Sequence, residues 1–245
     1  MSTTGMKQKS AETSPRLRAR IAGLLYLVIT VAAPFGELFV RAKLVVRDDA
    51  AATATNILAN QSLYRLGGVA DLVAFACDVA LAVLFYELLK PASRSVSLLA
   101  AFFRLMHAAV VSVATLTYFA PLLFLRGSRH LNGFSAEQLQ GLTLVCIRLH
   151  GQGYNIGLLF FGIHCVLLGY LIFRSTFLPR ILGPLMALAG LCYLTNSLAS
   201  LLAPAFKAVI YPYILMPAGI AELSLMLWLI VVGVNVQRWK EQEGV

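Results

Sequence analysis

Charged residues are scarce in this sequence: Asp, Glu, Lys and Arg make up 13% of its 245 residues. A soluble domain carries about 25%, so this composition excludes an ordinary soluble globular protein. Hydrophobic residues make up 59%, and the mean hydropathy is +0.79. The net charge of +9 would suggest nucleic acid in a soluble protein, but the basic residues cluster at the ends of apolar segments. We therefore predict an integral membrane protein whose partner is the lipid bilayer and not nucleic acid.

Cysteine is also rare, and its placement argues against two kinds of site. All four cysteines, Cys77, Cys146, Cys165 and Cys192, lie inside apolar segments and have no CxxC spacing. Disulfide and zinc–thiolate sites are therefore not expected.

The sequence also lacks a GxSxG motif, a Walker loop and a supported dinucleotide fingerprint. It thus predicts no cofactor, and whether the protein is an enzyme stays open, with a non-enzymatic role favoured.

Six apolar segments are long enough to cross a bilayer, which takes about 20 residues. They are predicted at 20–40, 66–89, 96–125, 139–173, 181–203 and 209–236. The first could pass for a signal peptide, but no clear small-residue cleavage site follows it. The predicted fold is all-α: one domain of six transmembrane helices at 18–239, with polar tails at 1–17 and 240–245.

The basic residues outside the spans are divided unequally between the two sides of this bundle. Eleven lie in the two terminal segments and in the connections after the second and fourth spans, and seven lie in the other connections. Because cytoplasmic segments carry the excess of Lys and Arg, both termini are predicted to be cytoplasmic.

Two helix starts outside the hydrophobic segments can be located by their capping residues. Ser135 with Gln138 matches a capping box ahead of a long fourth helix at 136–173. In the first long connection, Asp48 or Asp49 can cap a short helix at 50–59. We expect the long helix to be central in the bundle and the short one to lie over the non-cytoplasmic end.

Gly153 and Gly157 in the long helix have the spacing of a helix-packing pair. Arg148 and His164 lie on roughly opposite faces of the same helix. Because lipid does not tolerate either polar group, we expect protein on at least two sides of this helix.

Ionisable and amide side chains inside the spans form a candidate polar core in two layers. The set is Glu37, Asp71, Arg148 and His150 in the outer layer, Asp78, Arg104, His107, Asn155 and Glu222 near the midplane, and His164 toward the inner half.

The simplest predicted pairing joins Asp71 to Arg148, and Arg104 to Asp78 or Glu222. Four acids against two arginines leave a surplus of carboxylates, which beside the histidines could carry protons or bind a cation. The alternative is that these groups only fix the register of the helices. No metal site is predicted, because the sequence has no HxxxH or HExxH spacing.

Several long runs resemble a known family. They are "RIAGLLYLVI", "DLVAFACDVALAVLFYELLKP", "AAFFRLMHAA" and "RLHGQGYNIGLLFFGIHCVLLGYLIFRSTFLPRILGPLMALAGLCYL". These runs are similar to the domain of unknown function 4386 family of bacterial multi-pass membrane proteins, over about residues 18–236. The resemblance implies bacterial origin, a helical bundle and the inner membrane, and it transfers no site residues.

The leading functional hypothesis is transport or binding of an ion or small solute at the polar core, coupled to protons. Two other classes stay open: an intramembrane enzyme acting on a lipid-like substrate, and a partner or regulatory subunit without a site of its own.

Overall fold

The computed structural model describes residues 14–126 and 132–244, and these residues form helices without a β-strand. The first span is α1 (Pro15–Pro34), a π-helical segment (Phe35–Arg41) and the short α2 (Ala42–Leu44). The other spans are α4 (Gln61–Leu89), α5 (Arg94–Phe124), α6 (Ala136–Arg174), α7 (Leu182–Leu202) and α9 (Met216–Val231), which a 3₁₀ turn (Tyr213–Leu215) precedes. The shorter helices are α3 (Ala50–Ala59), α8 (Pro204–Ile210) and α10 (Val236–Glu243). All six predicted spans are confirmed.

The six spanning helices pack in a cyclic order, α1, α4, α5, α6, α7, α9 and back to α1. The longest helix, α6, packs between α5 and α7. Because each helix has two neighbours in the ring, each also has a face that points toward a shared interior. That interior is where polar side chains from different spans can meet.

Both predicted caps are present. Ser135 and Gln138 form the reciprocal capping box at the start of α6. The Asp49 carboxylate accepts a hydrogen bond of 2.8 Å from the Ala52 amide at the start of α3. Helix α3 packs against α6.

Glycines bring α6 and α7 into backbone contact. A Cβ added at Gly169 would lie 2.5 Å from the Gly183 carbonyl oxygen, and one at Gly190 would lie 2.5 Å from the Gly162 carbonyl oxygen. Only hydrogen fits at such positions, so the two helices approach more closely than larger residues would allow. Gly153 and Gly157 pack in the predicted way against α5, where they face Ala114 and Val111.

The start of α1 and the end of α10 lie at the same end of the bundle, which we call the termini end. There α10 contacts α1, and the Gln242 side chain accepts hydrogen bonds from Thr176, after α6. The sixth span ends at Val231, five residues before its predicted end, because the chain turns at Gly233 (φ +74°). Which side of a membrane this end faces stays a prediction.

The predicted tails differ in how far the structure describes them. Residues 1–13 of the amino-terminal tail lie outside the described residues, and α1 already begins at Pro15. At the other terminus, α10 continues through Glu243. Trp239 of α10 is buried, and its indole N–H donates to the Leu88 carbonyl of α4 at 2.8 Å.

Candidate functional site

Arg104 of α5 lies in the interior of the ring and is 0% exposed. Its Nη2 forms an ion pair with Asp78 of α4, and its Nη1 lies 3.0 Å from His164 Nε2 of α6. The prediction that Arg104 pairs with Asp78 or Glu222 is therefore confirmed, with Asp78 as the partner. Asp78 of one neighbouring helix therefore neutralises the charge of Arg104, and His164 of the other neighbouring helix forms a hydrogen bond with its guanidinium.

The hydrogen bonds of His164 determine where its proton lies. Its Nδ1 is 2.8 Å from the Ala100 carbonyl oxygen, which can only accept. Its Nε2 faces the Arg104 guanidinium, which can only donate. The imidazole therefore carries its hydrogen on Nδ1 and offers a lone pair at Nε2. His164 acts as a neutral acceptor that holds the arginine in place.

Aromatic rings surround the rest of the guanidinium. Its Cζ lies 5.4 Å from the ring centre of Tyr26, 5.7 Å from that of Phe85 and 5.2 Å from that of Phe161. These distances are within the range of a cation–π attraction, which offsets part of the cost of burying the charge. Among the described residues, Arg104 Nε has no hydrogen-bond partner.

Two further titratable groups stand beside the ion pair. His107 Nε2 lies 3.8 Å from the second oxygen of Asp78. Glu222 of α9 accepts a hydrogen bond of 2.5 Å from the Tyr193 hydroxyl of α7. No Lys, Arg or His lies within ion-pair distance of Glu222 in the described part of the chain. Glu222 is therefore an interior carboxyl whose bonded partner is a hydroxyl.

Six polar side chains, one from each spanning helix, lie at one depth, which we call the mid layer. Each spanning helix contributes one polar side chain at a position between 9 and 11 residues from the termini end of that helix. At 1.5 Å per residue this depth is roughly 15 Å, half of a ~30 Å hydrocarbon core. The mid layer consists of Tyr26, Asp78, Arg104, His164, Tyr193 and Glu222. His164 was predicted closer to the inner half, and the structure instead joins it to Arg104.

The outer layer differs from its prediction. Asp71 is buried and pairs with Arg41, with its two oxygens 2.5 and 3.5 Å from the guanidinium nitrogens, so the predicted pair with Arg148 is wrong. The physical reason is the π-helical segment after Pro34, which extends the first helix through Arg41 and directs that residue inward. Arg148, whose side chain is 60% exposed, pairs instead with Asp48 in the first connection.

Glu37 and His150 occupy different environments around this pair. Glu37 accepts a hydrogen bond of 2.7 Å from Arg41 Nε, but its side chain is 55% exposed, so it lies at the edge of the core. His150 is buried, with Nδ1 3.2 Å from the Ala114 carbonyl oxygen. His150 also contacts the Tyr118 ring at 5.2 Å between ring centres.

Two tyrosines connect α4 and α5 beside the outer layer. The rings of Tyr64 and Tyr118 stack 4.3 Å apart. Each hydroxyl donates to the other residue's carbonyl oxygen, at 2.6 and 2.8 Å. Since a helix carbonyl can accept a second hydrogen bond, the pair fixes the two helices without breaking either one.

Lys207 of α8 and Asn155 lie together at the end opposite the termini. Lys207 Nζ donates to Asn155 Oδ1 at 3.2 Å and to Ser200 Oγ at 3.0 Å, and the Asn196 amide donates to Asn155 at 3.4 Å. Partial burial lowers the pKa of Lys207, and the negative charge of Glu37 opposes that shift. Asn155 was predicted beside the midplane acids, and the structure places it in this separate cluster.

Within residues 14–126 and 132–244, the geometry gives little support for a metal site. No three His, Cys, Asp or Glu side chains in these ranges lie close enough to hold one ion. His107 and Asp78 are adjacent, but a third ligand is missing beside them.

Several polar residues that take part in these contacts were not singled out from the sequence, among them Tyr26, Arg41, Tyr193 and Lys207. Arg41 had a usable signal, because it follows Glu37 by four residues and so lies on the same helix face. The other three had none, since tyrosines are common in membrane helices and Lys207 lies in a connection.

Comparison with known proteins identifies the family of the chain but no activity. It is 26% identical to an uncharacterized protein of Archaeoglobus fulgidus over 172 residues, which cover 70% of this chain and 85% of that protein. No solved structure matches the chain. The model of the family described as "Domain of unknown function (DUF4386)" matches residues 21–233. The chain belongs to this family.

Proposed function

We propose that this protein binds a small solute or ion at the mid layer and moves it across the membrane together with protons. The single observation that carries the proposal is the contribution of one polar side chain from each spanning helix at half the membrane depth. Ionisable groups at this depth are costly in lipid and typically mark ion or substrate pathways. Transporters commonly place their binding sites near the bilayer midplane.

The groups in the mid layer suit different roles in such a cycle. Asp78 and Arg104 form a fixed pair of opposite charges, held by His164, that can orient a polar solute. Glu222 has the character of an exchangeable acid, because its bonded partner is the neutral Tyr193 hydroxyl. A carboxyl of this kind can take up and release a proton without breaking an ion pair.

The test uses the full chain in liposomes that contain a trapped pH-sensitive dye. A pH gradient is imposed, and proton movement is recorded alone and with sodium, potassium or small solutes added on one side. Removal of an acid that carries protons slows proton movement by roughly tenfold or more. We therefore expect slower proton movement in Glu222→Gln and in Asp78→Asn than in the wild type. The matched control is Asp48→Asn, which alters the exposed pair with Arg148.

The outcome separates the proposal from its alternatives. Absence of proton and solute movement in the wild type, or equal rates in Glu222→Gln and Asp48→Asn, would overturn it. Because Asp78→Asn can fail to fold, Glu222→Gln is the deciding variant. Turnover of a lipid without solute movement would favour the enzyme, and a co-purifying protein in equal amount would favour the regulatory subunit. Bacterial origin and location in the inner membrane stay predictions.

A further inference from the structure

Two adjoining depressions lie at the termini end, far from the mid layer. The first has a volume of about 720 Å³ and lies between the 175–180 connection and α10. The second, of about 570 Å³, lies between the same connection, the start of α1 and the end of α9. Thr176, Leu178, Pro179 and Arg238 line both. We call the combined feature the basic groove.

Three arginines give the basic groove its charge. Arg180 and Arg238 line the first depression, and Arg16 and Arg238 line the second. The side chains of Arg16 and Arg180 have no hydrogen bond or ion pair with any other described residue. Glu241 is the acid in the lining, and it accepts a hydrogen bond of 3.1 Å from Gln237. Arg238 Nη1 donates to the Thr176 carbonyl oxygen at 3.4 Å. The groove therefore presents three arginines against one acid, and the guanidinium donors of Arg16 and Arg180 are available to a ligand.

The surroundings of the groove identify the source of the anion. Next to Arg180, Ile181 is 67% exposed, and next to Arg16, Leu17 is 49% exposed. Val232, which lines the second depression, is also exposed. These apolar side chains belong to the ends of spanning helices, so they face acyl chains when the helices cross a bilayer. A ligand that suits both features has an anionic head beside the arginines and hydrocarbon beside the apolar residues.

We propose that the basic groove binds the phosphate-bearing headgroup of an anionic phospholipid. Arginine suits this ligand, because its guanidinium can form two parallel hydrogen bonds with phosphate oxygens. Basic pockets between membrane helices at the headgroup level are known to favour acidic lipids. The inference uses none of the mid-layer residues, so it stands or falls independently of the proposed transport.

The test measures lipid binding to the full chain after purification in mild detergent and removal of bound lipid. Phosphatidylglycerol, phosphatidylcholine or inorganic phosphate is added, and native mass spectrometry counts the bound molecules. We expect the wild type to retain phosphatidylglycerol in preference to phosphatidylcholine. Each of Arg16→Gln, Arg180→Gln and Arg238→Gln should weaken phosphatidylglycerol binding by roughly fivefold.

The matched control is Arg94→Gln, since Arg94 is an exposed arginine at the same end that lines neither depression. Equal binding of the two lipids would overturn the proposal. Equal loss in Arg94→Gln and Arg180→Gln would do the same, because it would indicate a diffuse surface charge. Displacement of phosphatidylglycerol by millimolar inorganic phosphate would instead indicate a site for soluble phosphate and would also overturn the lipid assignment.

Discussion

At the residue scale, Arg104 shows how a charge is accommodated inside a helical bundle. Its guanidinium contacts the Asp78 carboxylate, a neutral imidazole and aromatic rings, while its Nε has no hydrogen-bond partner among the described residues. Removal of one member of a buried ion pair leaves an uncompensated charge, whereas removal of both members leaves none. The two kinds of variant should therefore behave differently.

We expect Asp78→Ala to lower the free energy of unfolding by about 3–5 kcal/mol, because Arg104 then stays buried without its counter-charge. The double variant Asp78→Leu/Arg104→Met should lose clearly less. Unfolding of the purified protein in detergent, followed by circular dichroism, provides the measurement.

The control for this prediction is Asp48→Ala, which removes a pair whose members are both exposed. Exposed pairs contribute about 0–1 kcal/mol, so this variant should unfold almost as the wild type does. If Asp78→Ala resembled Asp48→Ala, or if the double variant lost as much as Asp78→Ala, the described burial of Arg104 would be incorrect.

The two predicted ion pairs show what depth along a helix can and cannot reveal. Asp78 and Arg104 lie on antiparallel helices joined by a short turn, so equal depth placed them together correctly. Asp71 and Arg148 lie at different depths, because they are 18 and 26 residues from the termini end of their helices, and α4 and α6 are not neighbours in the ring. The correct partner, Arg41, lay beyond the predicted end of the first span at residue 40. A π-helical extension of that helix could not be recognised from hydropathy.

At the element scale, the contact between α6 and α7 depends on glycines. The approach leaves no space for a side chain at Gly169, where the obstacle is the Gly183 carbonyl oxygen of the facing backbone. The same helix contains Gly141, where an added Cβ would meet nothing within 4 Å. One helix thus provides both a test position and its control.

We expect Gly169→Ala to lower the free energy of unfolding by about 1–3 kcal/mol, because the backbones must separate to admit the methyl group. Gly141→Ala should leave it unchanged or raise it by roughly 0.5–1 kcal/mol, since alanine is the better helix former. Thermal unfolding in the same detergent measures both. A neutral Gly169→Ala would contradict the described helix contact.

At the scale of the whole molecule, the sequence predicted which segments span the membrane but not how they are arranged. Hydropathy and capping residues located all six helices, because each signal is local. The order of helices around the ring depends on contacts between distant residues, such as Gly162 with Gly190. The mid layer was therefore only partly predictable: its charged residues were named, but Tyr26 and Tyr193 were not.

Different kinds of side chain fill the two ends of the ring. Toward the termini, buried Leu88, Leu168 and Trp239 belong to the apolar core. The opposite end also contains a buried apolar cluster, which includes Val40, Ile57 and Leu122, but the exposed Glu37 and the partly exposed Lys207 give it a polar part as well. Under the proposed transport, we expect a solute to enter on the side of Glu37 and Lys207 and to meet an apolar barrier between the mid layer and the termini end.

The most direct test of this arrangement is the accessibility of single cysteines from each side of the membrane. Tyr154 of α6 lies in the interior, with its ring centre 6.5 Å from that of His107. Cysteines replace Glu37, Tyr154 or Leu168 in a variant whose four native cysteines are changed to alanine. Labelling by a thiol reagent that cannot cross the bilayer is then measured from one side at a time. We predict rapid labelling at position 37 and slower labelling at 154, both only from the side of the opposite end, and none at 168. Labelling at 168, or labelling at 154 from the side of the termini, would contradict a polar interior that is closed by an apolar core.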